Sequence, residues 1–350
     1  MDPLTGARKP RWQYFLLDRF DNRLGPLDGV TGGTVEVVAQ SRLGGSGDLN
    51  IDDRGQNIDW LKQRVQIVYD PGVPGVEAWP IATMLFTTPK MRQLEDRKEY
   101  AVDLLTKLQI VDQTGFDTEY SLEVGEPIIP AVVAIIQSVG ETRIAATDLG
   151  AVTTVPLRWE AGVSKLTIIN ELLQAANYWS LWCDGSGQFR VQPYVAPTAR
   201  PVVRVFEAGQ ASIHEPGWTL EQDHSAVPNK YVVRRDGDDE TPAIVGVAVN
   251  MDPASMYSIP ARDGLIVMAE VEVVSDIESQ QAADDLAQRR LLDAMSPVAK
   301  LEVTHAIVPL NPNDRVKFIP RGYECDATVQ RMKYDLAFDG QCDADWREVM

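Results

Sequence analysis

The chain has 350 residues, with 33 Lys and Arg against 51 Asp and Glu, a formal net charge of −18. Apolar residues at 44 % and charged residues at 24 % are an ordinary globular balance, and at roughly 100–200 residues per domain the length allows two to four domains. The acidic excess disfavours a protein that neutralises nucleic-acid phosphates, and one that adheres to an anionic membrane surface.

The first third reads as β-structure. Trp12 to Phe20 is rich in aromatic and aliphatic residues, and Thr34 to Gln40 alternates Val35 and Val37 around Glu36. Gly25-Pro26 and Gly32-Gly33 are turn chemistry, and Gly44-Gly45-Ser46-Gly47 bends the chain before Leu49 and Ile51. Arg64 to Tyr69 alternates again, and Pro80 to Thr87 and Tyr100 to Val111 bring the set to five or more strands. A barrel or sandwich is the natural packing for such a set.

Beyond about residue 115 the composition changes. Pro127 and Pro130 suit a helix start, Ala131 to Val139 is apolar, and Gly140 suits the C-cap. Ser164 caps a second helix whose Leu166, Ile169, Leu173 and Ala176 recur at helical spacing up to Asn177. Tyr178 to Cys183 and Gln188 to Val191, around Asp184-Gly185-Ser186-Gly187, predict a β-hairpin. Residues of about 120 to 195 therefore form a small α+β region, left through Pro193, Pro197 and Pro201. Strands return at Tyr231 to Arg235, Ile244 to Asn250 and Leu265 to Val274. One helix follows, with Ser275 and Glu278 at capping-box spacing and a face of Ala283, Leu286, Ala287, Leu291 and Ala294 up to Pro297. Lys300 to Val308, Arg315 to Ile319 and Ala327 to Phe338 are the last predicted strands, and no short-period repeat is visible.

Cys183, Cys325 and Cys342 are too few and too scattered for a disulfide scaffold or a Cys-rich zinc site, and read as small buried hydrophobes in a reducing compartment. The amino terminus lacks a signal-peptide layout. The longest apolar run, Ile128 to Ile136, is broken by Pro130 and falls short of the about 20 residues that span a bilayer. A soluble protein made in a cytoplasm is expected.

Catalytic signal is absent. His214, His224 and His305 form no metal-binding pair; His214 reads as a solvated loop residue beside Glu215, and His305 as a half-buried, hydrogen-bonded strand residue. Gly44-Gly45-Ser46-Gly47-Asp48 fails as a nucleophile elbow, because Asp48 stands where the second glycine is needed. Asp184-Gly185-Ser186-Gly187 reads as a hairpin turn, not an aspartic-protease turn. Asp236-Gly237-Asp238-Asp239-Glu240 lacks EF-hand alternation and reads as a solvated acidic turn. No P-loop occurs, and paired carboxylates are too common here to mark a glycosidase. Trp60, Trp79, Trp159, Trp179, Trp182 and Trp218 could form a sugar platform, but core and interface anchoring is the more common use. No catalytic residue, metal or cofactor is expected.

The order of these pieces resembles the baseplate hub, or minor tail, proteins of long-tailed phages of actinobacteria. The resemblance rests on Leu27-Asp28, Gly32-Gly33, Leu43 to Leu49, Asp59-Trp60-Leu61 and Tyr100 to Leu105 in the first region. It continues in Leu157-Arg158-Trp159, Gly162-Val163-Ser164, Ile168 to Leu173, Asn177-Tyr178 and Trp182 to Phe189. The late helix Ala282 to Leu292 and the segment Leu310-Asn311-Pro312-Asn313-Asp314-Arg315-Val316 complete it.

The resemblance implies a mainly β fold with an α+β insert: a first tail-tube-like β-barrel over 1–115, a small α+β domain over 116–200, and a second barrel over 201–350. That second barrel carries a packed helix and an insertion around 236–265. It implies a non-enzymatic virion protein at the tail tip, a homotrimeric ring that adapts the sixfold tail tube to a threefold tip and passes DNA during ejection. Its implied partners are copies of itself, the distal tail or tube protein, the tape-measure terminus and the central fibre or tip proteins, with no membrane binding. DNA would pass without specific contacts, and carboxylates lining the channel would repel its phosphates. The rival readings are a cell-wall-degrading enzyme and a carbohydrate-binding receptor module.

Overall fold

A computed structural model of the chain describes residues 3–39, 41–222, 224–235, 237, 243–274, 279–294 and 299–349. They fall into two compact units, Met1–Trp218 with Glu302–Val349, and Thr219–Leu301.

Period-two burial builds the first part of unit one. The strands are β1 (Arg11–Leu17), β2 (Arg23–Pro26), β3 (Val30–Val38), β4 (Gly45–Asp52), β5 (Arg64–Asp70), β6 (Trp79–Gln93) and β7 (Lys98–Thr106). Alternate residues such as Val35, Leu49, Ile51, Val65, Ile67, Val102 and Leu104 are buried, each contributing roughly 1.5–3 kcal/mol. The strands pair antiparallel in the order β2-β1-β5-β6-β7-β4-β3. Gly45, at φ 145, lies so close to β3 that a Cβ there would stand 2.1 Å from the Glu36 carbonyl oxygen, so only glycine fits this start of β4.

The predicted strand through Val111 ends earlier, at Thr106, and the chain turns into α1 (Leu108–Asp112). Then come β8 (Tyr120–Leu122), α2 (Ile128–Ser138), β9 (Ile144–Ala146), β10 (Leu157–Trp159), α3 (Lys165–Ala175), β11 (Trp182–Cys183) and β12 (Phe189–Val191). β8 pairs with β10, β11 with β12 as the predicted hairpin, and β9 runs parallel to β12. Val132 and Ile136 of α2 and Leu166, Ile169 and Leu173 of α3 recur at three- and four-residue spacing and share one core with Phe189 and Val191. Gly140 takes φ 86 just past α2, as its C-cap reading requires. Ser164 stands at the N-cap of α3, but its hydroxyl donates instead to Asp112 Oδ1 at 2.9 Å.

The remaining elements are β13 (Val202–Glu207), β14 (His214–Gln222), β15 (Lys230–Arg235), β16 (Ile244–Val249), β17 (Glu272–Val273), α4 (Gln280–Ala294), β18 (Ala299–His305), β19 (Arg315–Ile319), β20 (Cys325–Asp335) and β21 (Cys342–Val349). The order β14-β18-β21-β20 continues through β20 onto β3, while β19 pairs with β20 and β13 with β19. A single sheet of 13 strands results, largely antiparallel, and no barrel closes among the described residues. Phe206, Phe318 and Trp346 are fully buried, with both phenylalanines in ring contact with Trp346, and form the aromatic core of this second part.

The two parts repeat one plan. β3-β4-β7-β6-β5 and β14-β18-β21-β20-β19 have the same order in space, and in each set the strands follow one another in the same order along the chain. The flanking strand differs, since β1 is antiparallel to β5 whereas β13 is parallel to β19.

In unit two, β15 pairs antiparallel with β16 and parallel with β17. Ala283, Ala287 and Leu291 of α4 pack on Val233 and Ala248, and Val245, Val247 and Val249 occupy the opposite, exposed face of β16. Of the predicted strand from Leu265 to Val274, Glu272–Val273 forms β17 and Met268 makes an isolated parallel bridge to Lys230, while Asn229 holds the earlier backbone, donating to the Leu265 carbonyl and accepting from the Val267 N–H. The capping pair Ser275 and Glu278, the stop at Pro297, and Asp236, Asp238, Asp239 and Glu240 lie outside the described residues. Among the described residues, no helix is long and apolar enough to cross a membrane.

Candidate assembly interface

The seam between the two repeats is a strand junction. β20 gives the first stretch of one edge to β19, with Thr328 opposite Arg315 and Cys325 opposite Phe318, and the second stretch, Arg331–Asp335, to Val38–Thr34 of β3. Arg331 locks the register. Its Nε and Nη2 donate to the two Asp345 carboxylate oxygens at 2.9 and 3.1 Å, and its Nη1 donates to Glu36 Oε1 at 3.1 Å. The Asp345 hydrogen bonds, with Glu36 behind them, raise the guanidinium above its ordinary value, against the opposing effect of burial.

A buried ionic cluster ties the first strands to the α+β region. Lys107, fully buried, donates from Nζ to Asp21 Oδ2 at 2.6 Å, to Glu141 Oε2 at 2.8 Å and to the Gly187 carbonyl at 2.7 Å. Arg64 reaches Asp21 Oδ1 at 2.6 Å and Glu141 Oε1 at 2.5 Å. Two buried cations face two buried anions, with Arg143 4.0 Å from Asp21 at the margin, so the enclosed charges balance. Nothing in the sequence reading pointed to it; the signals were a cation, Lys107, at the end of an apolar strand and the Asp21-Asn22 turn, where Asp21 adopts φ 64.

Edges and clefts remain open. Among the described residues β13 pairs on one side only, and it exposes Val202, Val203 and Val205, the kind of apolar edge that marks a contact surface. A cleft of about 610 Å³ is lined by residues including Arg42, Trp79, Glu171, Trp179, Trp182 and Asn311.

The sequence candidates are scattered. His214 is not in a solvated loop; it opens β14, is buried edge-on against Phe318, and has Nδ1 2.6 Å from the Glu215 carbonyl. His224 is exposed beside the Tyr257 hydroxyl at 2.7 Å. His305 is buried in β18 between Phe206 and Trp346. Ser46 is a β4 residue with no elbow around it. Asp184 Oδ1 accepts from the Ser186 N–H and hydroxyl and the Gln188 N–H, a turn bonded to itself. Among the described residues no three His, Cys, Asp or Glu side chains converge as a metal would need.

The tryptophan faces are largely taken. Trp60 packs on Phe86 and Tyr100, Trp179 on Tyr194 with Arg200 over its ring, and Trp218 on Phe318 and Tyr323. Trp159 donates to Glu171 Oε2 at 2.5 Å. The three thiols are unpaired; burial pushes Cys325 up to about 11, and raises Cys183 and Cys342 further.

Burial lowers His305 to about 4, from an ordinary value near 6.5. The native state therefore disfavours the charged ring. Stability from this site is fully present above pH 6.5 and is lost as pH falls toward 4, by about 3 kcal/mol. His305→Gln is expected to flatten the stability profile over pH 4–6.5 in urea titrations; an unchanged slope would show that the ring protonates without unfolding cost.

No family model and no curated protein matches the sequence. The fold, by contrast, matches solved structures. A tail protein from Neisseria meningitidis MC58 aligns at TM-score 0.68 with 13 % identity, covering 96 % of both chains. The 43 kDa tail protein of prophage MuSo2 from Shewanella oneidensis aligns at 0.65 with 11 % identity, over 96 % of this chain and 98 % of the other. The prophage tail protein gp18 from Listeria monocytogenes EGD-e aligns at 0.57 with 10 % identity, over 96 % and 94 %. The chain thus has the fold of phage tail proteins.

Proposed function

We propose that this chain is a structural, non-enzymatic component of a phage tail, a hub at the tail tip that forms a trimeric ring. The observation that carries the reading is the repeated five-strand plan joined edge to edge through β3 and β20. One chain then supplies two similar positions, and three chains supply six, matching a sixfold tube to a threefold tip. In the domain scheme of the resemblance, residues 1–115 and 201–350 would be the two tube-like bodies, the latter carrying the separate unit Thr219–Leu301 within its sequence, and 116–200 the α+β domain between them. Closure of the ring would cover edges such as β13, whose exposed valines would otherwise invite aggregation.

In this reading the partners are other copies, the distal tail or tube protein, the tape-measure terminus and the tip proteins, in a virion of an actinobacterial phage. The net charge of −18 keeps the lumen free of bound DNA during ejection. Mass measurement in solution tests the reading, with three chains and a central channel in particle images as the expected result. A monomer whose peptidoglycan cleavage vanishes on one Asp or Glu substitution would overturn it. Duplex DNA is expected not to bind the ring at low salt, where electrostatic binding is strongest; tight binding read by fluorescence anisotropy would refute the acidic channel.

A further inference from the structure

The seam between the repeats has a counterpart that stands open. At the seam, the β20–β21 ladder shifts register between Val329 and Arg331, and the five residues past the shift, Arg331–Asp335, receive β3 on their other edge. In the first repeat β6 holds the place of β20. It pairs with β5 as far as Leu85, its ladder with β7 shifts between Phe86 and Pro89, and five residues again follow, Pro89–Gln93. No strand covers their outer edge among the described residues, and all five are exposed. The place of β3 belongs in the second repeat to β14, which among the described residues ends the sheet and pairs with β18 alone.

The charges repeat as well. At the seam the receiving strand brings Arg331 and the incoming strand Glu36. On the open pair the receiving strand carries Lys90 and Arg92, and β14 carries Glu215 and Glu221, all four exposed. Lys90 lies 3.7 Å from Asp103, an exposed and weak pair, while Arg92 has no ion-pair partner among the described residues. A basic edge on so acidic a chain keeps indiscriminate strands away and selects one bearing carboxylates.

We infer that β14 of one copy adds to the open edge of β6 at Pro89–Gln93 in a second copy, as β3 adds to β20 within the chain. The inference rests on the ring proposed above and names the contact that closes it. Junctions of one kind would then alternate within and between chains, a head-to-tail arrangement that closes when the rotation fits.

The test is a pair of cysteines, M91C on β6 and L220C on β14, treated with a short bis-maleimide in a C183A background, since Cys183 is half-buried whereas Cys325 and Cys342 are buried and stay silent. The double variant is expected to give covalent species of two and three chains, and each single variant only one. Trimers in solution without this cross-link would overturn the junction and leave the ring standing. Monomers without cross-links at any concentration would overturn both. As a second measurement, K90E/R92E in the cysteine background is expected to cut the cross-linked yield about tenfold, equivalent to about 1.4 kcal/mol. Adding E215K/E221K to the same chain should restore it, and a yield indifferent to either change would refute the charge pairing. Far-UV circular dichroism shows that each variant is folded.

Discussion

Replacing Lys107 with methionine is expected to cost unit one about 3–5 kcal/mol, the usual penalty for removing one partner of a buried ion pair. The ammonium is wholly enclosed and is shared by Asp21, Glu141 and the Gly187 carbonyl. Without it, the two buried carboxylates keep Arg64 as their one buried cation, with the partly exposed Arg143 4.0 Å from Asp21 at the margin, and the enclosed charges no longer balance. At this unit's size the loss corresponds to a fall of roughly 10 °C in Tm, read by calorimetry. A change below about 1 kcal/mol would mean that water screens the cluster. Because Asp21, Arg64 and Lys107 belong to the first strands and Glu141 and Gly187 to the α+β region, the damage should loosen the attachment between them before either core.

Replacing Gly246 with valine is expected to detach α4 in unit two. A Cβ at Gly246 would lie 2.2 Å from the Ala283 carbonyl oxygen, a backbone atom that cannot swing away. The helix must lift, and its small face of Ala283 and Ala287 then loses contact with Val233 and Ala248. Overpacking costs typically 1–3 kcal/mol even where side chains can adjust, and here they cannot. At about 3 kcal/mol, hydrogen exchange within Gln280–Ala294 should speed up roughly a hundredfold, with the strands of unit one unchanged. Undiminished protection in α4 would show that the helix does not depend on this close approach.

Most regular elements were legible because their cause is local. Arg64–Asp70 alternates, and α3 carries its apolar stripe at helical spacing, so both were readable within a residue or two. β14 was not, because Pro216 and Gly217 sit inside it and read as a loop; it is a strand because β18 pairs with it, a non-local cause. β13 and β21 were also missed. The seam shows the same limit: Glu36, Arg331 and Asp345 are ordinary surface charges in sequence and become a register lock only when two strands almost 300 residues apart meet. The buried ionic cluster likewise draws its members from four separate segments, so no spacing announces it.

The covalent link between the two repeats has a kinetic consequence. Strands tethered in one chain meet at an effective concentration in the millimolar range or above. β3 should therefore reach β20 before any contact between copies forms, and each chain should enter assembly as a finished pair. In the ring proposed above, six positions would then need three junctions between copies instead of six. Each intermediate would then expose one open β14 edge and one open β6 edge whatever its length, so fewer wrong pairings and fewer stalled fragments compete with completion.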